Sequence, residues 1–542
     1  MNFRMFCCGA LLCALGGTAR SQPAPHLEKR GSATQLIVDG KPFLALAGEL
    51  NNTVSSDLGF MKTVWPTLAN QAHLNTVLAG VAWDWIEPEE GHYDFRIVDA
   101  ALENARQNNL RLVWLWFASW KNGISSFAPA WVKANQDRFP RAQIGNGKSV
   151  EVLSTLSDNN READARAFAA LMRHIREIDA TQRVIMVQVE NEVGILGDSR
   201  DRSAAANEAF AKPVPQALLD YLTAHKEAAV APHGTGTWEE VFGKGPQADE
   251  IFMAWNYARY INRVVEAGKK EYAIPMYVNA WIIQPQDKGP GDYPSGGPQA
   301  HMHGIWRAGA PAIDLLCPDI YLPDFIGITA QYTRAGNPLF VPESTAGVEG
   351  AANAFYAIGA HNAMGYSPFA VDRETADVAK LPLSVAYAQL AQLAPTILEH
   401  QAQGTIAAVS LNRQRPEQQV KLGHYILNAA LVRSFRTPDA IPDVTGYGIF
   451  MAVAPDEYLV AGNNLQISFT PNTPGPPIAG LARQEAGHFE NGRWVATRLL
   501  GGDDSMLRSD FANVVEVGQS GSGVRLRAGD QGMQRVRLYR YR

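Results

Sequence analysis

The chain has 542 residues, 46% of them hydrophobic and 19% charged, with a formal net charge of −6. That is enough material for a large core and at least one further domain. No block of five or more lysines or arginines occurs, so nothing points to a nucleic-acid or anionic-membrane partner, and a neutral ligand is expected.

Residues 1–21, "MNFRMFCCGALLCALGGTARS", join an early Arg4 to a short apolar stretch from Met5 to Ala14, with small residues around Ala19-Arg20-Ser21. This reads as a secretory signal peptide, predicting a secreted or periplasmic protein. Its apolar part is too short to span a bilayer, and no other stretch of eighteen apolar residues follows, so no membrane span is expected. Cys7, Cys8 and Cys13 lie within it; Leu12 is bulky for a lipid-anchoring site at Cys13. Cys317, in "IDLLCPDIY", is then the lone cysteine, and it reads as a buried small hydrophobe.

From 42 to 371 eight apolar runs alternate with helical patterns: 42–50, 74–83, 110–118, 183–190, 274–282, 313–321, 337–344 and 363–371. Strands that are apolar throughout belong to parallel sheets covered on both faces. Segments 97–109 and 161–179 between them carry helical periodicity. Eight such units without a glycine-rich phosphate turn predict a (β/α)8 TIM barrel over 22–397. After about 400 the runs become short and alternating, with turn signals such as Glu490-Asn491-Gly492, which predicts a C-terminal antiparallel β-sandwich-like domain over 398–542.

In a barrel the catalytic groups sit where the strands end. The first run ends in Glu49, Asn51 and Asn52, the second in Trp83-Asp84-Trp85, and the third in Ser119, Trp120 and Asn122. The fourth finishes, unusually for a buried strand, in Glu190-Asn191-Glu192; Asn279 and Trp281, Asp319 and Tyr321, and Glu343 close the next three. Two carboxyl groups with amides and indoles suit a sugar: glycoside hydrolysis uses one carboxylic acid to protonate the leaving oxygen and one carboxylate to attack carbon or activate water. Indole faces pack on pyranose rings, and eleven of the twelve tryptophans precede residue 307, which places the sugar site in the barrel. Trp114 and Trp116 read as core, and His301-Met302-His303 as a loop pair without metal-ligand spacing. Glu190 and Glu192, two apart on a strand, should share a face, so parity does not choose between them.

The stretch "VIMVQVENEVG" resembles the fourth strand of the family 35 glycoside hydrolases, the β-galactosidases, and "LNTVLAGVAWDWIEPEEGHYDF" (74–95) and "WKNGISSFAPAWV" (120–132) are similar to their second- and third-strand motifs in order and spacing. The Glu-Pro and Tyr-Asp-Phe elements also fit the related family 42. The resemblance implies a retaining enzyme without metal or organic cofactor, with Glu192 as general acid/base, Glu343 in "NPLFVPES" as nucleophile and Asn191 near the sugar 2-hydroxyl. Glu49, Trp120, Trp281 and Tyr321 are the further substrate-binding candidates, and Tyr321 is the expected donor holding the pKa of Glu343 low. Three positions depart from the family 35 pattern: Val193 replaces an aromatic, Ser119 a glutamate that contacts galactose, and Gly80 a tyrosine. The expected activity is removal of terminal β-galactosyl residues from oligo- or polysaccharides. A β-glycosidase for another sugar and a non-catalytic carbohydrate-binding protein are the alternatives.

Overall fold

The computed structural model describes residues 23–145, 147–226, 231–373, 377–433, 440–505, 523–527 and 532–542; the signal peptide read from residues 1–21 lies outside them. The eight apolar runs all form strands: β1 (Ala45–Glu49), β2 (Thr76–Ala82), β3 (Arg111–Lys121), β4 (Val184–Asn191), β5 (Met276–Trp281), β6 (Leu315–Ile320), β7 (Glu343–Ser344) and β8 (Gly365–Tyr366). They pair in parallel in the order β7-β6-β5-β4-β3-β2-β1-β8. A parallel bridge between Val341 and Tyr366 joins the two ends, completing a TIM barrel.

Strand alternation sorts the side chains. Val113, Leu115 and Phe117 of β3 meet Leu78, Tyr277, Cys317 and Phe340 in one interior cluster, while Leu112, Trp114 and Trp116 pack into the helical shell. Both faces are therefore apolar, and the runs read as continuous. Cys317 is fully buried, as its context suggested. A three-stranded layer of His26–Arg30, Ala33–Val38 and Lys41–Phe43 adds Leu36 and Val38 to the same interior.

Helix α1 (Asp158–Ile178) starts three residues earlier than its periodicity suggested because the Ser157 hydroxyl caps it, accepting from the backbone N–H of Asn160. It packs along α2 (Pro246–Glu271), whose first residue is a proline at a position that needs no N–H. Helices α3 (Phe325–Tyr332) and α4 (Gly347–His361) follow β6 and β7, so their first turns lie on the face where the strands end. Helix α5 (Pro382–Gln403) closes the helical shell.

Among the described residues, ten further strands make two antiparallel sheets. Ile406–Leu411, Gly446–Ala454, Glu457–Asn463, Met533–Tyr541, Ile478–Glu490 and Arg493–Leu500 form one, and Glu417–Leu422, Tyr425–Leu431, Leu465–Pro471 and Val524–Leu526 the other. Val409, Leu427, Phe450, Val460, Ile467 and Leu538 fill the space between them. The Glu490-Asn491-Gly492 turn joins two of these strands, with Asn491 and Gly492 both at positive φ, as a two-residue hairpin requires. The six-stranded sheet sits directly on α4, where the Phe355 and Tyr447 rings are 4.9 Å apart.

Candidate active site

The end of β4 does not continue as a flat strand. Glu190 and Glu192 both have positive φ, 64° and 47°, a conformation that costs a residue with a Cβ roughly 1–2 kcal/mol. The cause lies in the neighbouring strand. Trp116 pairs with Val189 and Lys121 with Asn191, so five steps along β3 match two along β4, and residues 117–120 bulge out of the ladder. The bulge frees the backbone N–H groups of Ser119 and Trp120, and the Glu190 carboxylate accepts both, at 3.1 and 2.9 Å. Glu190 thereby stands in for the missing ladder carbonyls. It is wholly buried, and burial followed by the charge of neighbouring Asp164 pushes its pKa well up.

Glu190 and Glu192 thus do not share an environment, because the twisted backbone breaks the two-residue parity. Oxygens of Glu192, Glu343 and Asp319 lie within 4.8 Å of one another. Burial, then the charge of Glu343, raises Glu192 to about 7 against the opposing pull of Lys121. Its backbone N–H is fixed by Asn279 Oδ1 at 3.0 Å. Tyr321 donates to Glu343 Oε1 at 2.7 Å, as expected, yet the Glu343 pKa is raised rather than low: burial outweighs the combined pull of Lys121 and Tyr321.

Asp319, named from the sequence only as a rim residue, is part of this centre. Asn279 Nδ2 donates to its Oδ2 at 2.6 Å, while its Oδ1 meets no N–H donor among the described residues. Burial, then the charges of Glu343, Glu192 and Glu49, holds its pKa well above the usual range, and it shares a hydrogen bond with Glu192. One proton shared between the two carboxyls would satisfy both. Glu49 is buried beside them and is also pushed well up, by burial first and by Glu343 next.

Lys121 was missed by sequence reading, where it is the variable position of a Trp-x-Asn-Gly pattern. Its ammonium donates to Asn191 Oδ1 and, at 2.7 Å, to Asn122 Oδ1, and lies 4.9 Å from the Phe117 ring centroid. Its charge lowers Glu49, Glu192 and Glu343 alike. The carboxyls of Glu192, Asp319 and Glu343 have spacing that a cation could use, but the adjacent ammonium opposes a second positive charge and favours shared protons.

The remaining candidates divide. Trp281 is half-buried at the end of β5, and Tyr321 is 46% exposed at the mouth of the site. Trp120 requires correction: its ring is fully buried, donating to the Leu153 carbonyl and packed edge-on against Tyr257 and Tyr260, so no face is left for a sugar. Trp83, Trp114 and Trp116 are equally buried, so these indoles too belong to the core. Ser119 also turns away, its hydroxyl bonding Asp164 at 2.7 Å and Tyr260 at 2.9 Å behind the barrel wall. Gly80 leaves no room for a tyrosine, because a Cβ there would sit 2.4 Å from the Asn52 carbonyl oxygen. His301 and His303 lie in helical turns rather than a loop, with His301 at 3.1 Å from Glu250.

Residues 65–242 match the family model of the glycoside hydrolase family 42 β-galactosidases, and residues 383–510 match a domain of unknown function. No curated protein matches the chain. Among solved structures, the β-galactosidase of a Rahnella species is 17% identical over 66% of this chain and 57% of its own, with a TM-score of 0.46. The catalytic domain of a Paenibacillus polymyxa β-amylase is 11% identical over 62% of this chain and 94% of its own, with a TM-score of 0.47. The β-galactosidase of Bacillus circulans sp. alkalophilus is 17% identical over 66% and 57%, with a TM-score of 0.43. The chain thus spans little more than half the length of the β-galactosidases it resembles. The family 42 match includes the strand ending in Glu190-Asn191-Glu192.

Proposed function

We propose that this protein is a glycoside hydrolase: an exported, retaining, exo-acting β-galactosidase. The observation that carries the reading is the convergence of Glu192 and Glu343 within 4.8 Å. Retaining enzymes hold their carboxyl groups about 5–5.5 Å apart, whereas inverting ones need roughly 6.5–9.5 Å to admit a water between them. Glu343 Oε attacks the anomeric carbon as the bond to the leaving oxygen breaks, and Glu192 passes its proton to that oxygen. In the second step water attacks the same carbon, gives a proton to Glu192 and releases Glu343. The charge of Glu343 helps keep Glu192 protonated, and once Glu343 is esterified that charge is gone and Glu192 can act as base. Asn191, positioned by Lys121, is assigned to the sugar 2-hydroxyl, with Glu49 and Trp281 as further contacts. The order of motifs between 74 and 132 supports kinship with family 35, and export rests on residues 1–21.

A second reading, hydrolysis of another β-glycoside, is favoured by Ser119: with its hydroxyl committed to Asp164 and Tyr260, β3 offers the sugar no side-chain carboxylate. A panel of nitrophenyl glycosides, run beside Glu192→Gln and Glu343→Gln, decides. The expected result is preference for the β-galactoside and losses of about 10²–10⁴-fold in the variants. Preference for another glycoside with the same losses would move the specificity and keep the mechanism.

A further inference from the structure

A cleft of about 730 Å³ opens beside Tyr321 and follows the seam between the barrel and the C-terminal sheets. That volume is in the range of ligand-binding clefts, roughly 300–1,000 Å³. Its barrel wall comes from the first turns of α3 and α4, including Phe325, Val348 and Glu349. The opposite wall comes from three separate segments of the C-terminal domain: residues 410–415, residues 443–445, and Asn464. Helices that follow barrel strands begin on the catalytic face, so the cleft lies on that face. Its inner end adjoins the reaction centre, because Tyr321 in its lining bonds Glu343, and Thr345, also in its lining, lies two residues beyond Glu343.

Arg413 and Val444 belong to the cleft and to the other domain, and are not among the groups gathered with Glu192 and Glu343. The cleft nevertheless offers what a longer saccharide needs: exposed apolar surface at Tyr321 and Val444, amides at Asn412 and Gln414, and charges of both signs at Arg413 and Glu349. Mixed charge suits a neutral polyhydroxyl ligand better than an acidic one. We propose that this cleft binds the neutral oligosaccharide carrying the terminal residue, several sugars long, and that the C-terminal domain is part of substrate recognition. The inference rests on the glycosidase reading and narrows its substrate to chains longer than a disaccharide.

The test compares a nitrophenyl β-galactoside with β-galactosyl-cellotetraose and β-1,4-galactotetraose, using the full chain and two variants remote from the carboxyls. Val444→Trp fills the cleft, and Arg413→Ala removes a polar contact. Both should cleave the nitrophenyl substrate at the parent rate. The kcat/KM for the long substrates should fall about tenfold in Val444→Trp, through KM. Equal losses on short and long substrates, or none on either, overturn the proposal. If the parent cleaves no β-galactoside, the functional reading fails by itself, and titration of the parent with cellotetraose and galactotetraose then reads the cleft alone. Binding that Val444→Trp abolishes supports the cleft, and its absence from the parent overturns it.

Discussion

Tyr321 and Glu343 meet across adjacent strands, the phenol donating to Oε1 at 2.7 Å, in a register where Asp319 of β6 pairs with Glu343 of β7. This bond is one of two influences restraining the rise of the Glu343 pKa. Removing a hydrogen bond to a charged group costs about 1.5–3 kcal/mol, so Tyr321→Phe should lower kcat/KM about 10- to 100-fold. Because the lost bond favoured the carboxylate, Glu343 should titrate higher, and the acid limb of the pH profile of kcat/KM should move upward. A rate loss with the acid limb unmoved would show that Tyr321 contacts substrate without tuning the nucleophile.

Lys121 acts on both carboxyls at once. Its charge lowers Glu192 and Glu343 together, so Lys121→Met should raise both and shift the whole bell-shaped profile to higher pH, by on the order of one unit. The same change leaves Asn191 Oδ1 without its ammonium donor, so activity at the new optimum should also be lower. A profile that narrows or shifts on one limb only would contradict the shared counter-charge.

Asp319 shares a hydrogen bond with Glu192 and is held by Asn279. An amide at this position keeps a donor toward Glu192 without adding charge. Asp319→Asn should therefore retain activity within about tenfold, whereas Asp319→Leu, which leaves Glu192 without that donor, should lose about 10²-fold or more. Similar losses in both variants would mean that Asp319 serves through its charge.

Trp120 predicts a different signature. Its buried indole fills space between β3 and α2 and bonds the Leu153 carbonyl. Trp120→Ala should cost about 3–5 kcal/mol of stability, read as a lower thermal midpoint. The KM of whatever enzyme remains folded should stay unchanged. A raised KM at unchanged stability would restore this residue to the sugar site.

Much of this was legible in the sequence for definite reasons. Strands buried on both faces leave continuous apolar runs, so the barrel and its order could be read, and with them the strand ends where Glu49, Asn191, Glu192, Tyr321 and Glu343 lie. The separation of Glu190 from Glu192 could not, because it depends on residues 117–120 bulging from the next strand, and no local pattern announces a bulge of that size. Trp120 misled because tryptophan is at home both on a sugar and in a core, and only the packing of α2 decides. Lys121 was invisible because a single lysine in a loop-like motif ordinarily faces water. The raised pKa of Glu343 belongs to the depth of the site, which follows from neither composition nor spacing.

Glu190 provides the last test, through stability rather than rate. Its folded pKa lies well above the usual carboxylate value, and Asp164 beside it is raised as well, chiefly by burial. A carboxyl raised in this way binds its proton more tightly in the folded state than in the unfolded chain. Its stabilising contribution is complete below the unfolded pKa of about 4.3 and is lost as pH rises through the folded value. Glu190→Gln removes that titration, leaves one oxygen to accept from either the Ser119 or the Trp120 N–H, and supplies an amide that can donate to Asp164. At pH 5 the variant should melt at or below the parent temperature, since one charged or neutral acceptor oxygen has been given up. As pH rises to 9 the difference should close and then reverse in favour of the variant, followed by thermal denaturation across that range. Parallel curves would mean that Glu190 is ionised in the folded protein and that the bulge is held by charge rather than by a shared proton.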